Sequence, residues 1–364
     1  MKRALAAIAA ALLVAACGEQ PGPAAAPPLR APQHGPVPSL PTFPDDPVTP
    51  EKIALGRYLY FDERLSGSGH TDCAACHVPA TAFQDNLNHS IPDGSYPSDA
   101  PPTARNTSSM LNLVHAPISR WDGSGTDLLE VLMRPFAETN MNLGADVPSA
   151  QIALKKRLTV TAPAYPALFQ EAFAEDIAQA DPARVWLLTA RALRAFLTKV
   201  ISRDAAFDRW NAGDDTAMSA AAQRGLALFD GKARCSGCHG GPLFTDFAFH
   251  NVSTAPPGPD GSRADEGRSL VTGDAGDRGK FLTPTLRSAY QTGPYFHDGS
   301  VFTLQQVIRH KASAAVTADP LHDAIFDAPL DLTDDEIADL VQLLGALRGA
   351  DIRAEITEPA PGEP

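Results

Sequence analysis

Basic residues are scarce: 30 lysines and arginines face 43 aspartates and glutamates over 364 residues, a formal net charge of −13. No basic stripe is available to meet phosphates, which argues against a nucleic-acid binder. Long hydrophobic runs are missing as well. The one apolar run, residues 4–16, has thirteen members and is too short for a permanent membrane span. Period-two alternation is thin, which speaks against an all-β fold. Cysteines number only five, so a closed disulfide framework would leave one over. What is present is a 44% hydrophobic content, enough for real cores, in a length that suggests about two domains.

The first cysteine belongs to an address label. Met1-Lys2-Arg3 followed by the apolar run has the build of a secretory signal peptide over residues 1–16. Its end, Leu13-Val14-Ala15-Ala16-Cys17, resembles the lipobox of bacterial lipoproteins, in which the cysteine is lipidated and becomes the mature N-terminus. Gly18 stands where a retention signal would, so the resemblance implies the periplasmic side of the outer membrane, with a soluble periplasmic form as the alternative. Membrane contact would then run only through the lipid chains. Residues 17–46 are rich in proline and alanine and read as an extended tether. Without Lys2 and Arg3 the side-chain charge becomes −15, a solvated acidic surface that could attract a basic redox partner.

Beyond the tether, helical patterns dominate. Thr49-Pro50 opens a helix with apolar residues at 53, 55, 58 and 59, and Asp181-Pro182 opens a second with Val185, Leu188, Ala192, Phe196 and Val200 on one side. Further helices are expected over 220–229 and 333–347. Long loops over 85–102 and 253–280 separate them, and loops of that length tend to be functional or mobile. Gly56-Arg57-Tyr58-Leu59-Tyr60 and Gly225-Leu226-Ala227-Leu228-Phe229 each precede a cysteine pair. An internal duplication with its boundary near Gly213 is the economical reading. It gives a first domain over 47–212, a second over 213–356 and a tail over 357–364.

The four remaining cysteines fall in Cys73-Ala74-Ala75-Cys76-His77 and Cys235-Ser236-Gly237-Cys238-His239. This spacing presents two thiols to the vinyl groups of haem and delivers the adjacent imidazole to iron. Zinc and a redox dithiol are the rivals. Two such motifs, each with its histidine, in an exported chain favour covalent haem.

From about Pro47 to Lys311 the chain resembles the bacterial di-haem cytochrome c peroxidase and MauG family. The resemblance rests on Leu55-Gly56-Arg57-Tyr58-Leu59-Tyr60-Phe61-Asp62, Arg105-Asn106, Trp121-Asp122-Gly123, Phe207-Asp208-Arg209 and Gly240-Gly241-Pro242-Leu243-Phe244. Thr283-Pro284-Thr285-Leu286-Arg287 and Pro294-Tyr295-Phe296-His297-Asp298-Gly299 complete it. It implies a mainly α fold of two packed cytochrome c-like domains with long loops, each holding a c-type haem. One haem, on His77, would meet hydrogen peroxide; the other, on His239, would pass electrons through Trp121. The resemblance also implies a calcium ion on the Asn106 side chain and the carbonyls of Thr292 and Pro294.

Three departures qualify the resemblance. The family places an acid–base glutamate before a methionine; alignment on Met141 puts Asn140 there, with Glu138 two residues earlier. An amide can orient peroxide but cannot take its proton. His89, in the loop after His77, is either a ligand to the first iron or a surface residue. The family's Met or Tyr ligand to the second iron falls on Lys311, with His310 or water as competitors. The expected function is a peroxidase reducing hydrogen peroxide with electrons from a small cytochrome c or cupredoxin. The alternatives are a MauG-like oxidase of a partner protein's side chains and a non-catalytic electron-transfer or sensing protein. A homodimer is compatible with the sequence.

Overall fold

A computed structural model describes residues 30–93, 103–258, 260–349 and Ile356. The signal peptide, Cys17 and the tail lie outside the described residues. The described chain is mainly helical. In order it runs through α1 (Pro50–Tyr60), α2 (Cys73–Cys76), α3 (Leu128–Met133), α4 (Val147–Lys156), α5 (Tyr165–Phe173) and α6 (Pro182–Leu197). It continues through α7 (Ala206–Asn211), α8 (Ala220–Asp230), α9 (Ser269–Thr272), α10 (Leu304–Ala312) and α11 (Asp334–Ala346). Two short strands, β1 (Phe249–His250) and β2 (Phe281–Leu282), pair antiparallel.

The helix ends follow their caps. Thr49 accepts from the Lys52 N–H ahead of Pro50, and Asp181 accepts from the Arg184 N–H ahead of Pro182. Thr333 and Glu336 form a reciprocal capping box at α11. Helix α6 stops at Leu197, so Val200 is buried beyond the helix rather than on its face.

Two apolar cores form. One gathers Leu55, Leu59, Phe83, Phe136, Phe169 and Phe196, and the other Phe207, Leu226, Phe229, Phe244, Leu340 and Leu343. Between α1 and α11 the cores divide between Ile201 and Phe207, because α7 packs on the second core, while Ala31 joins the second core and Ile356 the first. Each is built on one helix crossing, α1 on α6 and α8 on α11. Gly56 and Gly225 are the contact points: a Cβ on Gly56 would lie 2.0 Å from the Ala192 carbonyl oxygen, and one on Gly225 2.1 Å from that of Asp339.

The duplication extends well beyond those helices. Ser119 bridges Gly125 around Arg120-Trp121-Asp122-Gly123, and Tyr295 bridges Val301 around Phe296-His297-Asp298-Gly299. Arg120 and Phe296 are both left-handed, at φ 67° and 69°. The caps Asp127 and Thr303 then open α3 and α10 at equivalent places. Across the seam the Asn106 N–H donates to the His297 carbonyl at 2.7 Å, and the Leu282 N–H to the Trp121 carbonyl at 2.8 Å. Trp121 and His297 are equivalent, as are Asn106 and Leu282, so these bonds are reciprocal, the signature of a two-fold relation.

The expected tether needs correcting over residues 30–46, which dock on the fold. Ala31 N–H donates to Asn211 Oδ1 at 2.6 Å, and buried His34 stacks on Phe244 at 4.6 Å and 7°. Asp46, also buried, pairs with Lys52 at 2.6 Å and with Arg194. Proline removes N–H donors but leaves side chains and carbonyls free to dock, so this segment straps the second domain to the first. The described residues of the long loop over 253–280 are likewise built into the structure: Arg263 forms a buried pair with Asp319, and α9 lies within the loop.

Candidate functional site

Helix α2 presents the first cysteine pair, capped by Asp72, whose carboxylate accepts from the Ala75 N–H at 2.8 Å. His77 follows directly, its carbonyl held by the Tyr60 hydroxyl. The chain then turns back through Phe83, left-handed at φ 61°, whose carbonyl lies 3.3 Å from His77 Nδ1. The second motif repeats the device with Phe244, at φ 54°, whose carbonyl lies 3.1 Å from His239 Nδ1. A carbonyl can only accept, so each Nδ1 carries the proton and each Nε2 keeps its lone pair for a metal.

The electrostatics agree with that role. Burial pulls His77 below the usual histidine range. Burial, then the charge of Lys311, brings His239 down to about 4. Both imidazoles are therefore neutral, the form that ligates iron. Burial pushes Cys76 and Cys235 up to about 11 and raises Cys73 further, so these sulfurs are thiols. Around the second motif an apolar cavity opens, walled by Cys235, Cys238, His239, Leu243 and the α10 side chains Leu304 and Ile308. The four sulfurs, two carbonyl-oriented imidazoles and the open apolar cavity suit two c-type haems.

Trp121 lies on the seam between the halves and lines this same cavity. Its indole N–H donates to the Asn106 carbonyl at 2.9 Å, and its own carbonyl accepts from Leu282 of the second domain. Arg105 is bidentate to Asp265, at 2.7 and 2.9 Å, and reaches Asp122 at 2.6 Å. Arg268 donates to the carbonyls of Asp122 and Gly123 at 3.0 and 3.1 Å. The Trp-Asp-Gly turn is thus gripped by the second domain through side chains far away in sequence.

The remaining sequence candidates separate. Glu138 is ion-paired with Arg134 at 2.7 Å and Arg120 at 3.4 Å and is partly exposed. Asn140 uses its carbonyl to accept from the Asp93 N–H at 2.9 Å. His89 is half-buried near His297, its Nδ1 buried without a hydrogen-bond partner among the described residues. Lys311 lines the same cavity as Trp121 and His239, whereas His310 is turned away, its Nε2 2.8 Å from the Val252 carbonyl. Asn106, Thr292 and Pro294 line this same cavity, and Gln291, the residue before Thr292, has its Oε1 buried with no hydrogen-bond partner among the described residues. An unsatisfied amide oxygen one residue from Thr292 is a donor of the kind a hard cation takes.

Two carbonyl-oriented histidines, each behind a cysteine pair, with a tryptophan between the halves, define a di-haem c-type oxidoreductase. The sequence signature described as di-haem cytochrome c peroxidase matches residues 50–216. The chain is 35% identical to the cytochrome-c peroxidase IdrP1 of Denitromonas iodatirespirans, over 94% of this chain and 92% of that one. It is 34% identical to the methylamine utilization protein MauG of Methylorubrum extorquens, over 88% and 83%. Among solved structures, a MauG-like protein associated with microbial copper homeostasis superposes with a TM-score of 0.76 at 28% identity, covering 89% of this chain and 97% of the other. The chain belongs to the di-haem cytochrome c peroxidase and MauG family of peroxidase-type oxidoreductases, whose members carry two c-type haems.

Proposed function

We propose that the protein reduces hydrogen peroxide at the His77 haem with electrons that enter at the His239 haem and cross through Trp121. The observation that carries this reading is the placement of Trp121: it lines the second cavity and is hydrogen-bonded to main chain of both halves. Cys73 and Cys76, and Cys235 and Cys238, would hold the two haems through thioethers, with His77 and His239 as iron ligands. When bound, haem supplies the redox chemistry that splits the peroxide bond. The protein's own part is to orient each imidazole through Phe83 and Phe244, to fix Trp121, and to exclude water from the apolar cavity. The position equivalent to Lys311 in the first domain is Pro135, which has no side-chain ligand atom, and that favours the first haem as the open one.

A second reading is favoured by Glu138. Already paired with two arginines, it is poorly free to shuttle the peroxide proton, and Asn140 offers only an amide. Such a site suits slow oxidation of a partner protein's side chains, the MauG-like activity. Calcium at Asn106, Thr292, Pro294 and Gln291 would stiffen the seam that carries Trp121. Lipidation at Cys17 would place the molecule on the periplasmic face of the outer membrane; among the described residues no helix is long and apolar enough to cross one.

Steady-state peroxide consumption with a reduced cytochrome c or cupredoxin tests the first reading. Sustained turnover in wild type, reduced by more than an order of magnitude in Trp121→Phe, supports it. Slow turnover with new covalent oxidation of a co-purified protein substrate supports the second. No spectral response to peroxide rejects both.

A further inference from the structure

Helix α10 turns one face to the second cavity, and the residues on it are Leu304, Val307, Ile308 and Lys311. That i, i+3, i+4, i+7 spacing is the apolar stripe of an ordinary amphipathic helix, and its last place is taken by an amine. Neighbouring polar residues leave that face: Arg309 pairs with Asp334 at 2.8 Å, and His310 bonds the Val252 carbonyl. Lys311 has no hydrogen bond or ion pair with any described residue, and the Phe326 ring lies 5.5 Å from its nitrogen. The carboxylate that acts on it is Asp323, which is already held by His250 Nδ1 at 2.5 Å.

An unpaired ammonium in an apolar cavity is costly and is relieved by losing its proton or gaining a partner. The Lys311 side chain and the His239 imidazole line one cavity, so two nitrogen donors stand there for a metal. The internal repeat sharpens the point. The equivalent stripe in the first domain is Leu128, Val131, Leu132 and Pro135, so the two halves match in kind everywhere except at this last position.

We propose that Lys311 Nζ is the second protein ligand to the iron held by His239, giving that haem a histidine–lysine pair. The inference rests on the di-haem reading above. Coordination uses the amine lone pair, sends the ammonium proton to water and changes no oxidation state. An alternative partner, a haem propionate, is disfavoured by place. Lys311 faces the two cysteines, and those mark the vinyl edge of a c-type haem, opposite the propionates. A saturated nitrogen donor stabilises ferric iron more than a thioether does, so this haem has a lower potential than a methionine-ligated one.

The test uses the full chain carrying both haems, with mass spectrometry first showing haem on both cysteine pairs. Absence of haem on Cys235 and Cys238 would defeat the di-haem reading itself, separately from this one. In wild type, electron paramagnetic resonance and near-infrared magnetic circular dichroism should report one low-spin ferric haem with two nitrogen ligands. Lys311→Ala should convert it to high-spin, and added methylamine should restore the low-spin signal. Lys311→Met should stay low-spin with a potential shifted upward. A wild-type near-infrared band of the methionine or hydroxide type overturns the proposal, even if the variants fail to fold. So does an unchanged low-spin signal in Lys311→Ala.

Discussion

Replacing Gly56 by alanine sets two effects of known size against each other. Alanine is the better helix former by about 0.8–1.0 kcal/mol in a helix interior, so propensity alone predicts stabilisation. The crossing of α1 and α6 predicts the opposite. The added Cβ would lie 2.0 Å from the Ala192 carbonyl oxygen and 2.8 Å from Phe196 Cβ, and the oxygen is main chain that cannot rotate away. Relief to a carbon–oxygen separation of about 3.3 Å requires the helices to part by more than an ångström. Overpacking of that kind costs about 1–3 kcal/mol, and the rigidity of the obstacle puts Gly56 at the upper end. The net is a loss of roughly 1–2 kcal/mol, or about 2–8 °C in melting temperature for a domain of this size. Thermal unfolding of the haem-loaded protein, followed at the haem absorption and by circular dichroism, reads it directly. Gly225→Ala, against the Asp339 carbonyl at 2.1 Å, should behave alike and act on the second domain. A rise in melting temperature in either variant would refute the reasoning, because propensity would then have prevailed over the crossing.

Other expectations concern the anchoring pairs and the seam. Asp208→Ala strands Arg287, which is wholly buried and bidentate to that carboxylate at 2.8 and 2.9 Å, and should cost about 3–5 kcal/mol in denaturant titrations. Burial raises the Asp265 and Asp122 carboxyls, but the Arg105 hydrogen bonds and charge outweigh it and hold both below the usual range. Their contribution is therefore complete above the unfolded value of about 3.9 and lost as pH falls through the lower folded values. Arg105→Met should move acid undocking of the domains to higher pH, as seen in haem absorbance against pH. A calcium chelator should lower peroxide turnover reversibly, and Gln291→Leu should weaken calcium affinity in a metal titration.

The chemistry of the site was legible because it is local. The cysteine pairs and their histidines are contiguous, and the caps at Thr49, Asp181 and Thr333 act within one helical turn. What escaped was non-local. Arg105 and Asp265 are 160 residues apart, and nothing at either position names the other. The docking of residues 30–46 depends on Ala31, His34 and Asp46, which a count of prolines does not weigh. The carbonyls of Phe83 and Phe244 act through backbone conformation, to which side-chain identity is nearly silent. The sequence does carry one trace of the repeat: Asp122-Gly123-Ser124 and Asp298-Gly299-Ser300 match, and extending that register aligns Pro135 with Lys311.

The seam can also be seen as the interface of a dimer whose two copies share one chain. A perfectly two-fold arrangement of identical haems would have no preferred direction for electron flow. Here the main-chain bonds Asn106 to His297 and Leu282 to Trp121 keep the symmetry, while the side chains break it at Trp121 against His297 and at Lys311 against Pro135. Under the function proposed above, those two mismatched pairs make the molecule a rectifier. Its polarity is written in side chains, and the scaffold that supports them is indifferent to it.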